Sequence, residues 1–540
     1  MTTLLDREDV REAVSTLRSG AARKRHVTLV AVLLALVSFL IVVPRAEQAS
    51  LHVPKAVALP EAPGSPGKTV GGVSCAPGVR QVPWSAYSPI CLPAWHGNNG
   101  GSTSKGVTGS TITVTYRNAT SSELSLLYSF VPPEVIGTND EAAHTLQSYA
   151  NLFDKYYELW GRHVVIVPYT GQGNFINEDI GVGQEQAQAD ATTVAAQIGA
   201  FADMSLLGSS VMYAQALQDQ GVVVYGLYVA SQSWYREGAP YEYTVGPDCT
   251  KSAEGVAGVL GRALGGTDAI FAGDPQLRSK ERTYGILYPQ EPVPTTCAED
   301  IEKGLAEEGH PVDEAFAFSF DLSKLSSELN LAVAAMKMRG VTTVIFSSSD
   351  PLTPILLFEA AERIDYHPEW FIVPYFALPN NVLDMFAQAF MKAAPDESGG
   401  MIGMGSFSPP RDQQEAIKAY EMANGGSTAG ILPSYVFAYS SMLQLFEGLQ
   451  AAGPDLTPGT LAAGYADSAE LPPSTGMFGK WTFGPGSVDP DSSFELSHWS
   501  NDQISPINGK AGSFVACEGS KSYLYSNLAA GLPSHTQLSC

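Results

Sequence analysis

The stretch DLSKLSSELNLAVAAMKMRGVTTVIFSSSDPLTPILLFEAAERIDYHPEWFIVPY, residues 321–375, decides the fold. Its opening part repeats apolar side chains at helical spacing. Asp321 stands where a helix wants a capping acceptor, and Gly340 where the chain must turn out of the helix. VTTVIF (341–346) then reads as a strand, Asp350 and Pro351 open a second helix running to about Arg363, and WFIVPY (370–375) is the next strand. Strands that are apolar on both faces and alternate with amphipathic helices form a parallel sheet covered on both sides.

The same alternation runs upstream. TITVTY (111–116) reads as a strand, 144–161 as a helix, HVVIVPY (163–169) as a strand and 185–201 as a helix. The loop LLGSS (206–210) leads into a short helix to Gln220 and the strand GVVVYGLY (221–228). These two α/β stretches divide near Cys249, so the expected fold class is α/β with two doubly wound parallel-sheet lobes. A length of 540 residues excludes a single small module. The charge balance, 31 basic against 55 acidic residues for a net of −24, excludes a broad nucleic-acid surface, since no basic run occurs beyond residue 26. With 16% charged and 44% hydrophobic residues the chain is not intrinsically disordered.

Residues 27–43, VTLVAVLLALVSFLIVV, form an uncharged run of 17, long enough to span a bilayer. Six basic residues precede it, whereas Arg45, Lys55 and Lys68 are the only ones over the same distance beyond. The positive-inside bias therefore predicts a cytoplasmic segment 1–26, a transmembrane anchor 27–44 and an extracytoplasmic main domain. Cleavage after Ala46 or Ala49 would put Pro44 or Glu47 where signal peptidase wants a small residue, so the segment reads as an uncleaved anchor. Residues 45–105, with eight prolines and the run GNNGGSTS, read as a Pro/Gly-rich tether. Beyond it lies a bilobed domain, 106–540, with lobe 1 at about 106–248 and 376–470 and lobe 2 at about 249–375 and 471–540.

All six cysteines, Cys75, Cys91, Cys249, Cys297, Cys517 and Cys540, follow the apolar run, as disulfides in an oxidising compartment require. No pair has metal-ligand spacing. Fifteen connectivities are possible. Nearest-neighbour pairing, closing loops of 16, 48 and 23 residue steps, is the expectation.

Over residues 106 to about 519 the sequence resembles the type I periplasmic solute-binding proteins, in the branched-chain amino-acid receptor-like branch that serves ABC importers. GVTGSTITV is similar to the family's opening strand, YANLFDKYYELWGRHVVIVPY to its first helix and following strand, and LLGSSVMYAQALQDQGVVVYG to the stretch where a Gly-Ser loop precedes a helix and strand. FDLSKLSSEL resembles a family helix start and GMFGKWTFGPG its late hairpin, while CAPGVRQVPWSAYSPICLPAW and NNGGSTSKGVT resemble the linker of actinobacterial members. The resemblance implies two lobes joined by a three-crossover hinge that closes on a ligand.

It also implies a site. Ser209 and Ser210 match the family serine that holds a ligand carboxylate at a helix start; simple helix capping is the competing role. Ala230, Ser231 and Ser233 match the loop that offers further groups to the same carboxylate, and Trp234 and Tyr235 either floor the cleft or pack that loop. Family amino-acid binders place an acid where this chain has Tyr375, so the matched position supplies no charge for a ligand ammonium. Asp350 could substitute for that acid, with helix capping as the competing and favoured role. In open α/β sheets a ligand lies beyond the carboxyl ends of the strands.

No catalytic motif or cofactor fingerprint stands in the sequence. GGSTA (425–429) departs from a nucleophile elbow at its last residue, Gly67-Lys68-Thr69 has Ala62 where a phosphate loop opens with glycine, and Asp489, Asp491 and Ser493 begin a calcium loop that Ser500 fails to close. The expected protein is a membrane-tethered, non-enzymatic binder of a small polar solute, working with the membrane subunits of an ABC importer. The alternative is the same fold used as a ligand sensor or as an envelope scaffold for a protein partner.

Overall fold

A computed structural model describes residues 58–540 apart from 207, 227–228, 349, 351–352, 376–380, 382–383, 469–478 and 485. The expected segments 1–26 and 27–44 lie outside the described residues. Among the described residues no helix is long and apolar enough to cross a membrane.

The first lobe is built on strands β1 (Thr111–Asn118), β2 (His163–Thr170), β3 (Ala202–Asp203), β4 (Val223–Gly226) and β5 (Glu242–Thr244). They form one sheet in the order β2-β1-β3-β4-β5, every pair parallel. Burial on both faces of β1, β3, β4 and β5 explains their near-continuous apolar runs, whereas the edge strand β2 is exposed along one side. Helix Tyr435–Ala451, apolar nearly all round, is sunk in this lobe. Its Tyr439 and Phe446 meet Tyr149 and Phe153 of helix Asn139–Phe153 at ring-centroid distances of 5.2 and 5.3 Å.

The second lobe holds β6 (Tyr284–Pro289), β7 (Val312–Phe318), β8 (Thr343–Phe346), β9 (Glu369–Ile372), β10 (Met401–Gly405), β11 (Ser493–Ile504), β12 (Ala511–Ala516) and β13 (Ser522–Leu524). The order is β12-β11-β10-β9-β8-β6-β7, with β13 also on β11. Pairs from β7 to β10 are parallel, whereas β11 runs antiparallel to β10, β12 and β13. This sheet is therefore mixed rather than wholly parallel. The deciding stretch folds as expected: Asp321 accepts from the Ser323 amide at 3.0 Å to start helix Leu322–Arg339, and Gly340 ends it at φ +74°.

Two boundaries differ from the sequence reading. Strand β10, MIGMG, extends the second sheet past residue 375, because its glycine-rich run is fully buried beside β9. The chain thus leaves the first lobe after β5, returns after β10 and crosses again before β11, giving three crossings.

The second difference concerns the expected tether, which is no free spacer over its described part, 58–105. Val82 and Tyr87 are buried in the first-lobe core. Gln81 donates to the Tyr156 carbonyl at 2.6 Å, Arg162 to the Asn99 carbonyl at 2.6 Å, and Thr103 and Ser104 to the Leu456 carbonyl at 2.7 and 3.0 Å. Proline and glycine fix this strap's turns, and its buried apolar side chains hold it down. The disulfides are Cys75–Cys91, Cys249–Cys297 and Cys517–Cys540, the nearest-neighbour set.

Candidate functional site

The carboxyl ends of the strands in both sheets open onto one cavity of about 590 Å³. Its first-lobe wall includes Phe175, Asp179, Ser209, Val211, Met212 and Trp234; its second-lobe wall includes Glu291, Phe320, Ser347, Asp350 and Tyr375. Leu127 and Ile136, which follow β1, also line it while packing into the second-lobe core, so this part of the first lobe reaches across the cleft. An interlobe volume of this size, mostly apolar with a few convergent polar groups, fits a small ligand.

The first-lobe wall is set by a buried polar network below it. Arg117, near the end of β1, donates to both Glu178 oxygens at 2.9 and 2.8 Å and to Asp190 at 3.2 Å. It also donates twice to the Gly208 carbonyl, at 2.9 and 2.6 Å, and lies 3.7 Å from the centroid of the Tyr213 ring. Burial works to lower the Arg117 pKa, but the Glu178 hydrogen bonds and charge outweigh it and raise it. A side chain at Gly208 would place its Cβ 2.7 Å from the Arg117 carbonyl oxygen, so only glycine lets the loop come this close.

The loop so held begins helix Val211–Asp219. Ser210 accepts from the Tyr213 amide at 3.0 Å and donates to Glu178, which ties the helix start to the same network. Ser209 and the first helical residues, Val211 and Met212, face the cavity. Below, Asp203 accepts from Thr115, Tyr213 and Ser205; burial raises its pKa, against the pull of these bonds and of Arg117.

The second-lobe wall is acidic and aromatic. Asp350 accepts from the Thr353 amide and the Ser348 hydroxyl, both at 2.6 Å, and lines the cavity as well, so it caps a helix and faces the cleft together. The Tyr375 hydroxyl pairs with Ser347 at 3.1 Å, and burial pushes its pKa up. Glu291 keeps one carboxylate oxygen buried without a hydrogen-bond partner, and desolvation raises its pKa. Across the cleft, Asp179 stays solvent-exposed, and the surrounding walls, with the charges of Glu178, Asp350 and Glu291, push its carboxyl pKa up.

Of the residues picked from sequence, Ser209, Asp350 and Tyr375 reach the cavity wall, and Trp234 joins them. Ser210, Ala230, Ser231 and Ser233 are not among the lining residues. Ser210 is spent on capping and on Glu178. Ala230 is fully buried, its carbonyl taken by the Cys249 amide at 3.0 Å. Ser231 caps helix Gln232–Glu237 and pairs with the exposed Ser233 at 2.8 Å. Tyr235 is core. The Asp489 and Asp491 turn is occupied by the Lys251 ammonium, which contacts the Asp489 carboxylate and the Asp491 carbonyl.

Sequence reasoning missed Glu178, Asp179 and Glu291. Glu291 had a usable signal, since it sits in the loop directly after β6, where a ligand wall is expected. The other two had a weaker one in Arg117, a charge inside an otherwise apolar strand that demands a partner.

The model of the periplasmic binding protein family matches residues 172–500, more than half of the chain. No curated protein matches it. Among solved structures, a periplasmic binding protein from Burkholderia mallei superposes with a TM-score of 0.52 at 12% identity, covering 79% of this chain and 98% of its own. An ABC-transporter solute-binding protein from Rhodopseudomonas palustris HaA2, solved with p-hydroxybenzoic acid, gives 0.51 at 12% identity over 77% and 97%. One from R. palustris, in complex with 4-hydroxybenzoate, gives 0.50 at 14% over 75% and 95%. At such identities the likeness is one of fold, and it agrees with the three crossings and the interlobe cavity. With the family model matching most of both lobes, the chain belongs to the periplasmic binding protein family.

Proposed function

We propose that this protein is an extracytoplasmic solute-binding protein that captures a small, amine-bearing solute between its lobes and presents it to the membrane subunits of an ABC importer. The observation that carries the reading is the charge of the cleft. Asp179, Asp219, Glu291 and Asp350 line it, beside Glu178, whose charge Arg117 pairs, and no Lys, Arg or His stands among the described lining residues. A ligand carboxylate would face these acids with no side-chain cation to pair it, whereas an ammonium entering a low-dielectric cleft is attracted by both walls. Phe175, Trp234, Phe320 and Tyr375 add aromatic surface for an apolar body or a cation. The structural neighbours crystallised with hydroxybenzoates supply the opposite charge and hence the informative comparison.

Calorimetry on the full-length protein with 2-phenylethylamine and phenylacetate, near-equal in size and opposite in charge, tests the charge preference. The amine binds and the carboxylate does not; tighter binding of phenylacetate overturns the amine class while keeping the solute-binding reading. Native mass spectrometry that finds no retained small molecule, together with no heat from either compound or from leucine, overturns the solute-binding reading itself.

The anchor completes the reading. Residues 27–44 hold the domain to the membrane with the N-terminus in the cytoplasm, as the basic residues preceding the apolar run favour. Protease added to intact cells then releases the large domain and leaves a short membrane stub. A mature N-terminus near Ala46 or Ala49 overturns the anchor and leaves a secreted protein.

A further inference from the structure

At the end of the second sheet opposite the cleft, three segments bring a histidine and four carboxylates together. His367 precedes β9, Asp396 and Glu397 precede β10, and Glu362 lies in the last turn of helix Thr353–Arg363. One ligand atom from each of Glu362, His367 and Glu397 lies within 4.8 Å of the others. His367 Nδ1 is 2.8 Å from Glu397 Oε1, and its Nε2 is 3.1 Å from Asp365 Oδ1. The second Glu397 oxygen accepts from the buried Trp370 indole at 2.7 Å.

We propose that Glu362, His367 and Glu397 form a binding site for a divalent transition metal of the zinc class, with Asp396 as a further oxygen donor. Two observations beyond the clustering point to a cation. Glu362 Oε2 is buried without any hydrogen-bond partner, and the Asp396 carboxyl lies directly beside the Glu362 carboxyl. Two adjoining carboxylates and an orphaned oxygen hold either a shared proton or a cation between them. A single imidazolium brings one positive charge against four acids, and its two N–H groups are already directed to Glu397 and Asp365.

The supporting contacts are those a metal site uses. Asp365 accepting from Nε2 fixes the tautomer that presents the Nδ1 lone pair to the metal, and Trp370 orients the Glu397 carboxylate. One imidazole with carboxylates suits zinc or manganese, with ligand bonds of about 2.0–2.2 Å, which asks the three side chains to draw in by about 1 Å. Metal binding displaces the Nδ1 proton to solvent and changes no oxidation state. The site would clamp the end of one helix to the starts of two neighbouring strands.

The test uses untagged full-length protein freed of metal by chelator and dialysis. Added Zn²⁺, at about a hundredfold excess over its dissociation constant, raises the unfolding midpoint by about 3 °C or more, and one equivalent stays bound after gel filtration by elemental analysis. His367→Ala abolishes both effects, and Asp365→Asn weakens zinc binding about 10- to 100-fold. Should His367→Ala not fold, Glu362→Gln, at a half-exposed position, serves in its place. No retained Zn²⁺ or Mn²⁺ in the wild type, or an unchanged midpoint shift in the variant that folds, overturns the site.

Discussion

Arg117 and Arg282 are both buried, and each is clamped by a glutamate, yet they sit at opposite ends of their sheets. Arg282 precedes β6 and donates to Glu369, the first residue of β9, twice at 2.8 Å, while Thr343 donates to the same carboxylate at 2.8 Å. That clamp fastens neighbouring strand starts far from the cleft. Arg117 stands near the cleft end of β1 and spends two of its hydrogen bonds on the carbonyl of Gly208, just before Ser209 on the cavity wall. Similar chemistry thus pins a sheet in one lobe and shapes a cavity wall in the other. Burial alone does not distinguish a structural from a functional ion pair; what the pair holds in place does.

The largest expected effects test that distinction. Glu369→Ala leaves the Arg282 charge buried and uncompensated, at a cost of about 3–5 kcal/mol in urea-induced unfolding, with solute affinity unchanged in the protein that remains folded. Arg117→Met strands Glu178 and Asp190 at a similar cost, but weakens solute binding as well because the Gly208–Ser209 loop loses its anchor. Equal losses of affinity in the two variants would erase the contrast.

Next in size are the disulfides. Replacing Cys249 and Cys297 with serine frees a loop of 48 residue steps, and replacing Cys517 and Cys540 one of 23. Each pair costs about 2–4 kcal/mol. Cys297 lines the cavity, so only the first pair also alters solute affinity. Calorimetry on both double variants checks this, and a binding defect from the Cys517 and Cys540 pair would contradict it.

A smaller effect follows pH. Burial lifts Asp154 in the first lobe to about 7, Asp384 in the second to about 6, and Asp491 to about 8, all from an ordinary 3.8. Their folded pKa values lie above the unfolded ones, so the stability they contribute is complete below pH ~4 and is lost as pH rises through about 6 to 8. The unfolding midpoint therefore falls by a few degrees between pH 5 and about 8. Asp154→Asn flattens part of that fall, and a midpoint that climbs across this range would contradict the assignment.

The smallest effect separates adjacent serines. Ser210→Ala removes a helix cap worth about 1 kcal/mol. Ser209→Ala acts chiefly on solute affinity, through the cavity wall. Reversed roles would mean that the wall has been assigned to the wrong serine.

Much of the fold was legible because strand and helix periods are local. Residues 321–375 and 111–226 announce their strands and helices through apolar spacing, caps and glycines within a few positions. Strand β10 was not legible: MIGMG lacks β-branched side chains except Ile402, and its strand character comes from β9 and β11 on either side. The strap at 58–105 looked like a spacer because proline and glycine mark turns equally well in a packed segment and a loose one. The cleft was harder still. Its acids come from residues 178–179, 219, 291 and 350, and Arg117 finds Glu178 and Asp190 at separations of 61 and 73 residues. Such partners are assembled by topology, so a capping serine and a wall serine look alike in sequence and separate only when the helix axis is known.

The strap settles which half of the molecule serves as the frame of reference for motion. Its described anchor points, at Tyr156, Arg162, Glu415 and Leu456, all belong to the first lobe. A force applied to the chain near residue 58 is therefore borne by that lobe before it reaches the hinge. If the lobes open and close on a solute as proposed, with the chain held at its membrane end, the first lobe is the stator and the second the rotor. On that reading the angle swept falls on the lobe that carries Glu291, Asp350 and Tyr375.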